Sequence, residues 1–278
     1  MTSNPAGVRL GNHHSKTICL RNGRQPHLHP RKRLCKAFYF RHFWAKRYGE
    51  GLSFIKLVTN QSKGNMRIRA IMFDLDGTLI DQFGPIHRAF SKVLVQMGFD
   101  SPSYETVKRA VGGASDSTMA KLVGQERAEE AVRLLRPIFE SEMLDGLIAL
   151  PGSIEMLRKC SDSGIRTAVL TNKHGPHARA ACSHLGFDSY LELVVGANDT
   201  EWKKPDSRLT RRTLDEFGAK VESTIYVGDS PYDYETARAV GMKAYLVSTG
   251  THSFEELSAL PDCVVTYNLE ELSRLILN

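Results

Sequence analysis

Two carboxylates, Asp74 and Asp76, follow the apolar run Ile71-Met72-Phe73 and are themselves followed by Gly77 and Thr78. In extended chain, residues two apart point the same way, so the two acids would stand roughly 7 Å apart. Carboxylates that close repel one another. The repulsion is relieved by a divalent cation against one of them, or by a proton on one while the other stays ionised. Both states suit catalysis, although a polar strand-to-turn exit with Asp and Gly as turn formers also fits the bare motif.

Similar residues recur further along. Thr171-Asn172 follow the apolar run from Arg166 to Leu170, and Lys203-Lys204-Pro205-Asp206 lie in the loop after Leu191 to Val195. Gly228-Asp229-Ser230-Pro231-Tyr232-Asp233 follow Thr224 to Val227. Each has a plainer reading: Thr171-Asn172 as a helix cap, Lys204 as a solvated loop charge, Asp229 as a turn former and Asp233 as an N-cap. Their joint placement sets them apart, because ligands of open parallel sheets gather beyond the carboxyl ends of the strands. Four strand exits would bring acids, a hydroxyl, an amide and an ammonium to one rim.

The elements that must hold these residues read as alternating strands and helices. Strands are predicted over Arg69 to Phe73, Arg166 to Leu170, Leu191 to Val195, Thr224 to Val227 and Lys243 to Val247, with a weaker one over Cys263 to Thr266. Helices are predicted over Ser153 to Ser163, His174 to Leu185, Ser207 to Phe217 and Asp233 to Val240, where apolar residues recur every three or four positions. That alternation predicts an α/β fold, a doubly wound parallel (Rossmann-like) sheet. Pro85 to about Leu150 breaks the rhythm and reads as wholly helical, with a kink at Pro137. Gly84-Pro85 and Pro151-Gly152 bracket it. The expected organisation is an α/β core over 66–82 and 150–278 with a small α-helical cap inserted at 83–149.

The chain has 278 residues, 41% of them hydrophobic, enough for a substantial core. No apolar stretch approaches a membrane span and no secretory signal is present, so a cytoplasmic location is expected. Five separated cysteines without a Cys-x-x-Cys pair fit reduced thiols. The net charge of +6 is divided: residues 1–65 hold 13 Lys plus Arg against Glu50 alone, for +12, so residues 66–278 carry −6. An acidic main body argues against a nucleic-acid footprint there. The basic leader, 1–65, lacks sustained periodicity and reads as unstructured. It fits a segment dispensable to a working protein begun at Met66, an organellar transit peptide, or an arm whose cations and aromatics touch nucleic acid.

Asp74-Leu75-Asp76-Gly77-Thr78-Leu79, Thr171-Asn172-Lys173, Lys204-Pro205-Asp206 and Val227-Gly228-Asp229-Ser230-Pro231-Tyr232-Asp233 together resemble, in order, the four motifs of the haloacid dehalogenase superfamily. The resemblance covers about residues 66–260 and is to the phosphoglycolate phosphatase-like branch with a helical cap. It implies an Mg²⁺-dependent phosphatase of a small phosphorylated metabolite, acting through a phospho-aspartate. Asp74 would be the nucleophile and Asp76 the acid and base. Mg²⁺ would be held by Asp74, the backbone carbonyl of Asp76, and Asp229, with Asp233 behind them. Thr171, Asn172 and Lys204 would bind the phosphoryl group. Val111-Gly112-Gly113-Ala114-Ser115 resembles the family's cap loop, and is equally an ordinary turn between helices. Within the same fold a phosphosugar mutase or a pyrophosphatase is the alternative. From another class, a non-catalytic binding protein would use the basic arm. The partner expected is a small-molecule phosphate ester; oligomeric state is left open.

Overall fold

A computed structural model of the chain describes residues 67–277, so the readings of the basic leader lie outside the described residues. The first strand, β1 (Ala70–Phe73), is wholly buried. It pairs in parallel with β4 (Arg166–His174) on one side and β6 (Thr224–Gly228) on the other. A strand covered on both edges and both faces must be apolar throughout, which is why its four residues show no polar alternation. β5 (Leu193–Ala197), β7 (Lys243–Val247) and β8 (Val264–Thr266) complete a six-stranded sheet in the order β5-β4-β1-β6-β7-β8. The chain winds outward from β1 in both directions, and the sheet is parallel at every pairing.

Alternate residues of β1 serve two cores. Ile71 and Phe73 pack with Met156, Leu157, Ala181 and Leu272, whereas Ala70 and Met72 pack with Leu209, Phe217, Tyr234 and Leu246. Period-two alternation thus commits each face of the sheet to its own helical layer.

Between β1 and β4 the chain departs through β2 (Ile80–Asp81) and returns through β3 (Ile148–Ala149), which pair antiparallel. This two-residue ribbon is absent from the sequence reading, because strands so short carry no period. The excursion contains four helices, α1 (Phe83–Gln96), α2 (Tyr104–Ala110), α3 (Ser115–Val123) and α4 (Ala128–Glu142). They share an apolar cluster that includes Phe90, Val93, Met119, Leu135 and Phe139. Pro137 sits inside α4, which continues through it.

The core helices follow as α5 (Ser153–Asp162), α6 (Gly175–His184), α7 (Ser207–Phe217), α8 (Pro231–Arg238), α9 (Phe254–Ser258) and α10 (Leu269–Ile276). Several boundaries differ from expectation, and two of them bear on the site. α8 starts two residues early because Pro231, needing no amide donor, occupies the first turn behind a Ser230 N-cap. β4 runs past Leu170 to His174 through an irregular register, resuming its pairing at His174 opposite Ala197, so Thr171 and Asn172 lie within the strand rather than after it. Among the described residues, no helix is long and apolar enough to cross a membrane.

Candidate active site

The carboxyl ends of β1, β4 and β6 bring the singled-out residues together. Asp74 leaves β1 with its amide donating to the Val227 carbonyl at 2.8 Å, which keeps it beside β6. Lys204 arrives from the loop between β5 and α7, and its side chain is only 1% exposed. Its Nζ lies 2.9 Å from Asp74 Oδ1, 2.7 Å from Asp233 Oδ1 and 3.0 Å from Tyr226 Oη. The sequence named neither Tyr226 nor this double pairing, since a tyrosine inside an apolar strand reads as core.

Asn172 holds the lysine from behind. Its Oδ1 accepts from the Lys204 amide at 2.9 Å, and its Nδ2 donates to the Lys204 and Gly112 carbonyls at 3.2 Å each. The amide expected to touch a phosphoryl group is therefore engaged with backbone. Thr171 is buried, and its Oγ1 accepts from the Lys173 amide at 3.2 Å.

Asp229 and Asp233 divide their duties. Asp233 Oδ2 accepts from the amides of Asp229 and Ser230 and from Ser230 Oγ, closing a capping box at the start of α8. Asp233 is thus the third residue of the helix and not its N-cap, which is Ser230; one of its oxygens closes the box and the other meets Lys204. Asp229 Oδ2 accepts from the Thr251 amide at 2.7 Å and from Thr251 Oγ1 at 3.0 Å. A Cβ at Gly250 would lie 2.0 Å from that same oxygen, so the loop after β7 approaches only because the position is glycine. Thr251 also escaped the sequence reading, though inspection of the exit of β7, like the other strands, would have found it.

Asp74, Asp229 and Asp233 present carboxylate oxygens within 4.8 Å of one another, all three buried. Three acids and the Lys204 ammonium leave two formal negative charges. Burial pushes Asp74 up to about 6, against the pull of Lys204 and with repulsion from Asp233. Burial, then repulsion from Asp233 and Asp74, drives Asp229 well above the usual carboxylate range. Burial would depress Lys204, yet Asp233 and Asp74 lift it well above its ordinary value. Asp74 Oδ1, though close to Lys204, receives no well-aligned hydrogen bond. An excess of buried negative charge with an under-bonded oxygen fits a hard divalent cation. Asp74 and Asp229 have oxygens to offer; both oxygens of Asp233 are taken.

Asp76 faces the same cavity but pairs with Lys173, whose Nζ lies 3.0 Å from Oδ2 and over the Phe139 ring at 5.0 Å. Lys173 stood in a recognised motif with no role attached to it. The cavity, about 120 Å³, lies between core and helical insertion, and Val111, Gly112, Gly113 and Ser115 line it. That loop thus reaches the rim. Its flanks are tied down: Arg109 donates to the Thr251 carbonyl at 2.5 Å and pairs with Glu256, and Asp116 meets Lys203 at 2.6 Å.

A sequence model described as haloacid dehalogenase-like hydrolase matches residues 71–247. The phosphoglycolate phosphatase of Rhodospirillum rubrum is 32% identical over 203 residues, 69% of this chain and 84% of its own. That of Photorhabdus laumondii is 29% identical over 217 residues, 75% of this chain and 92% of its own. Among solved structures, a haloacid dehalogenase-like family hydrolase from Streptococcus pneumoniae superposes with a TM-score of 0.67 at 25% identity, covering 75% of this chain and 98% of that one. CbbY from Rhodobacter sphaeroides, solved in complex with phosphate, shares the fold with a TM-score of 0.63 at 20% identity over 74% of this chain and 96% of its own.

Proposed function

The chain belongs to the haloacid dehalogenase-like hydrolases and is a phosphoric monoester hydrolase; on that premise we propose that it hydrolyses a small, phosphoglycolate-like ester with Mg²⁺, through a phospho-aspartate on Asp74. The observation that carries the reading is the meeting of Asp74 with Lys204 at 2.9 Å, beside Asp229 and Asp233, at the mouth of a small cavity. Bound Mg²⁺ would supply positive charge against the phosphoryl oxygens, held by Asp74, Asp229 and the Asp76 carbonyl. In this reading 83–149 is the cap, and 66–82 with 150–278 the catalytic core.

Asp74 attacks phosphorus, and the P–O bond to the leaving group breaks. Asp76 gives that oxygen its proton and later takes one from the water that attacks the phospho-aspartate, releasing phosphate and restoring Asp74. To do so it must exchange its contact with Lys173. Thr171 and backbone amides beyond Asp74 donate to the phosphoryl oxygens, while Lys204 restrains Asp74 and adds charge. Asn172 acts by fixing the Lys204 backbone, and Asp233 by orienting Lys204 and the loop that carries Asp229. The helical insertion excludes water from the transfer.

Phosphate release from an aryl phosphate tests the reading. Activity with Mg²⁺ should vanish with chelator and return when Mg²⁺ is restored. Turnover indifferent to chelation would overturn it.

A further inference from the structure

The cavity wall opposite the acids is built for a particular leaving group. Ile86, Phe90, Val132, Leu135 and Phe139 make most of it. Against this apolar wall stands Arg136, an exposed residue of α4 whose charge acts on His174 and His177, which line the same cavity. The other cations at the site are spent: Lys204 on Asp74 and Asp233, and Lys173 on Asp76. Among the described residues, the side chain of Arg136 has neither an ion pair nor a hydrogen bond. Glu140, one turn further along α4, meets His177 at 3.2 Å instead. The two imidazoles stand 4.5 Å apart, and both line the cavity beside Arg136.

The geometry points to Arg136, backed by His174 and His177, as the subsite for a second anionic group on the substrate: a carboxylate or phosphate joined to the scissile phosphate by a short hydrocarbon link. The inference rests on the phosphatase reading and deepens it. A guanidinium fork matches a planar carboxylate or a phosphate face with paired donors. The apolar wall suits methylene groups, and it offers a polyol chain few partners beyond the hydroxyls of Ser115 and Thr118, so sugar phosphates would bind with hydroxyls unmatched. The signal was invisible in sequence because Arg136 lies on a helix far from every motif, and only the folding of α4 over the rim brings it in.

The experiment compares phosphoglycolate with ethyl phosphate, which has the same carbon count without the second anion, in the full chain with Mg²⁺. The readout is the ratio of their kcat/KM values. The intact protein should favour phosphoglycolate, and Arg136→Met should shrink the ratio by roughly 10- to 100-fold, mainly through KM. Arg136→Lys should recover part of it. Both esters turned over with the ratio unmoved by Arg136→Met would overturn the subsite and leave the phosphatase reading standing. If neither ester is hydrolysed, the aryl phosphate assay decides the phosphatase reading, and calorimetric binding of phosphonoacetate decides the subsite. Binding weakened by Arg136→Met supports it, whereas equal binding or none overturns it.

Discussion

At Asp74 a carboxylate is buried beside two others with a single ammonium to share, and the cost of that arrangement is measurable. Its pKa is raised from 3.8 to about 6, first by burial, so the folded protein holds the proton more tightly than the unfolded chain does. Stability from this group is complete below pH 4 and is lost as pH rises through 6, on the order of 2–3 kcal/mol. Asp74→Asn removes the charge but keeps the shape. In chelator at pH 7.5 the Asn variant should therefore melt higher than the parent, with the gap closing as pH falls from 6 toward 4. Thermal denaturation across pH checks this, and equal melting temperatures at pH 7.5 would show that the acids are not under strain. Residue identities such as Asp74, Asp76, Lys204 and Asp229 were legible because their types and order are constrained by chemistry. The task of Asn172, the pairing of Lys173, and the presence of Tyr226 and Thr251 were not, because each depends on which atoms the loops bring within 3 Å.

Among the elements, those with a long period were legible and those without were missed. α7 spans the expected Ser207–Phe217, since five buried residues mark one face and Gly218 at φ +63° ends it. The ribbon of β2 and β3 has two residues per strand and left no trace in the pattern. The helical excursion read as one stretch is four helices, with turns at Gly98, Gly112 and Gly124, each at positive φ. α4 poses a separate question, because Pro137 has no amide to give the carbonyl of Arg133 and crowds that turn. Pro137→Ala should raise stability by about 1–3 kcal/mol, read as a higher melting temperature. A lowered melting temperature would mean that the packing of α4 over the cavity needs the proline's shape.

For the whole molecule, the sheet order explains why separate stretches of sequence form one site. β1 lies between β4 and β6, so residues about 100 and 150 positions apart in sequence emerge side by side. That convergence was legible from strand-helix alternation alone. The cavity's far wall was not, because it joins α1 and α4 to the start of α6, and no local pattern relates them. The acidic body and the apolar wall lead to the same expectation: the working surface is the cavity, with Lys204 behind Asp74 and Arg136 in its wall.

The proposed reaction turns on a covalent bond between Asp74 and phosphorus. Quenching the enzyme during turnover with Mg²⁺ and substrate, reducing it with borohydride and mapping its peptides by mass spectrometry tests that bond directly. Asp74 should be converted to homoserine only when substrate is present, and Asp74→Asn should show neither conversion nor phosphate release. Steady phosphate release with Asp74 left intact under the same quench, or turnover by the Asn variant, would contradict it.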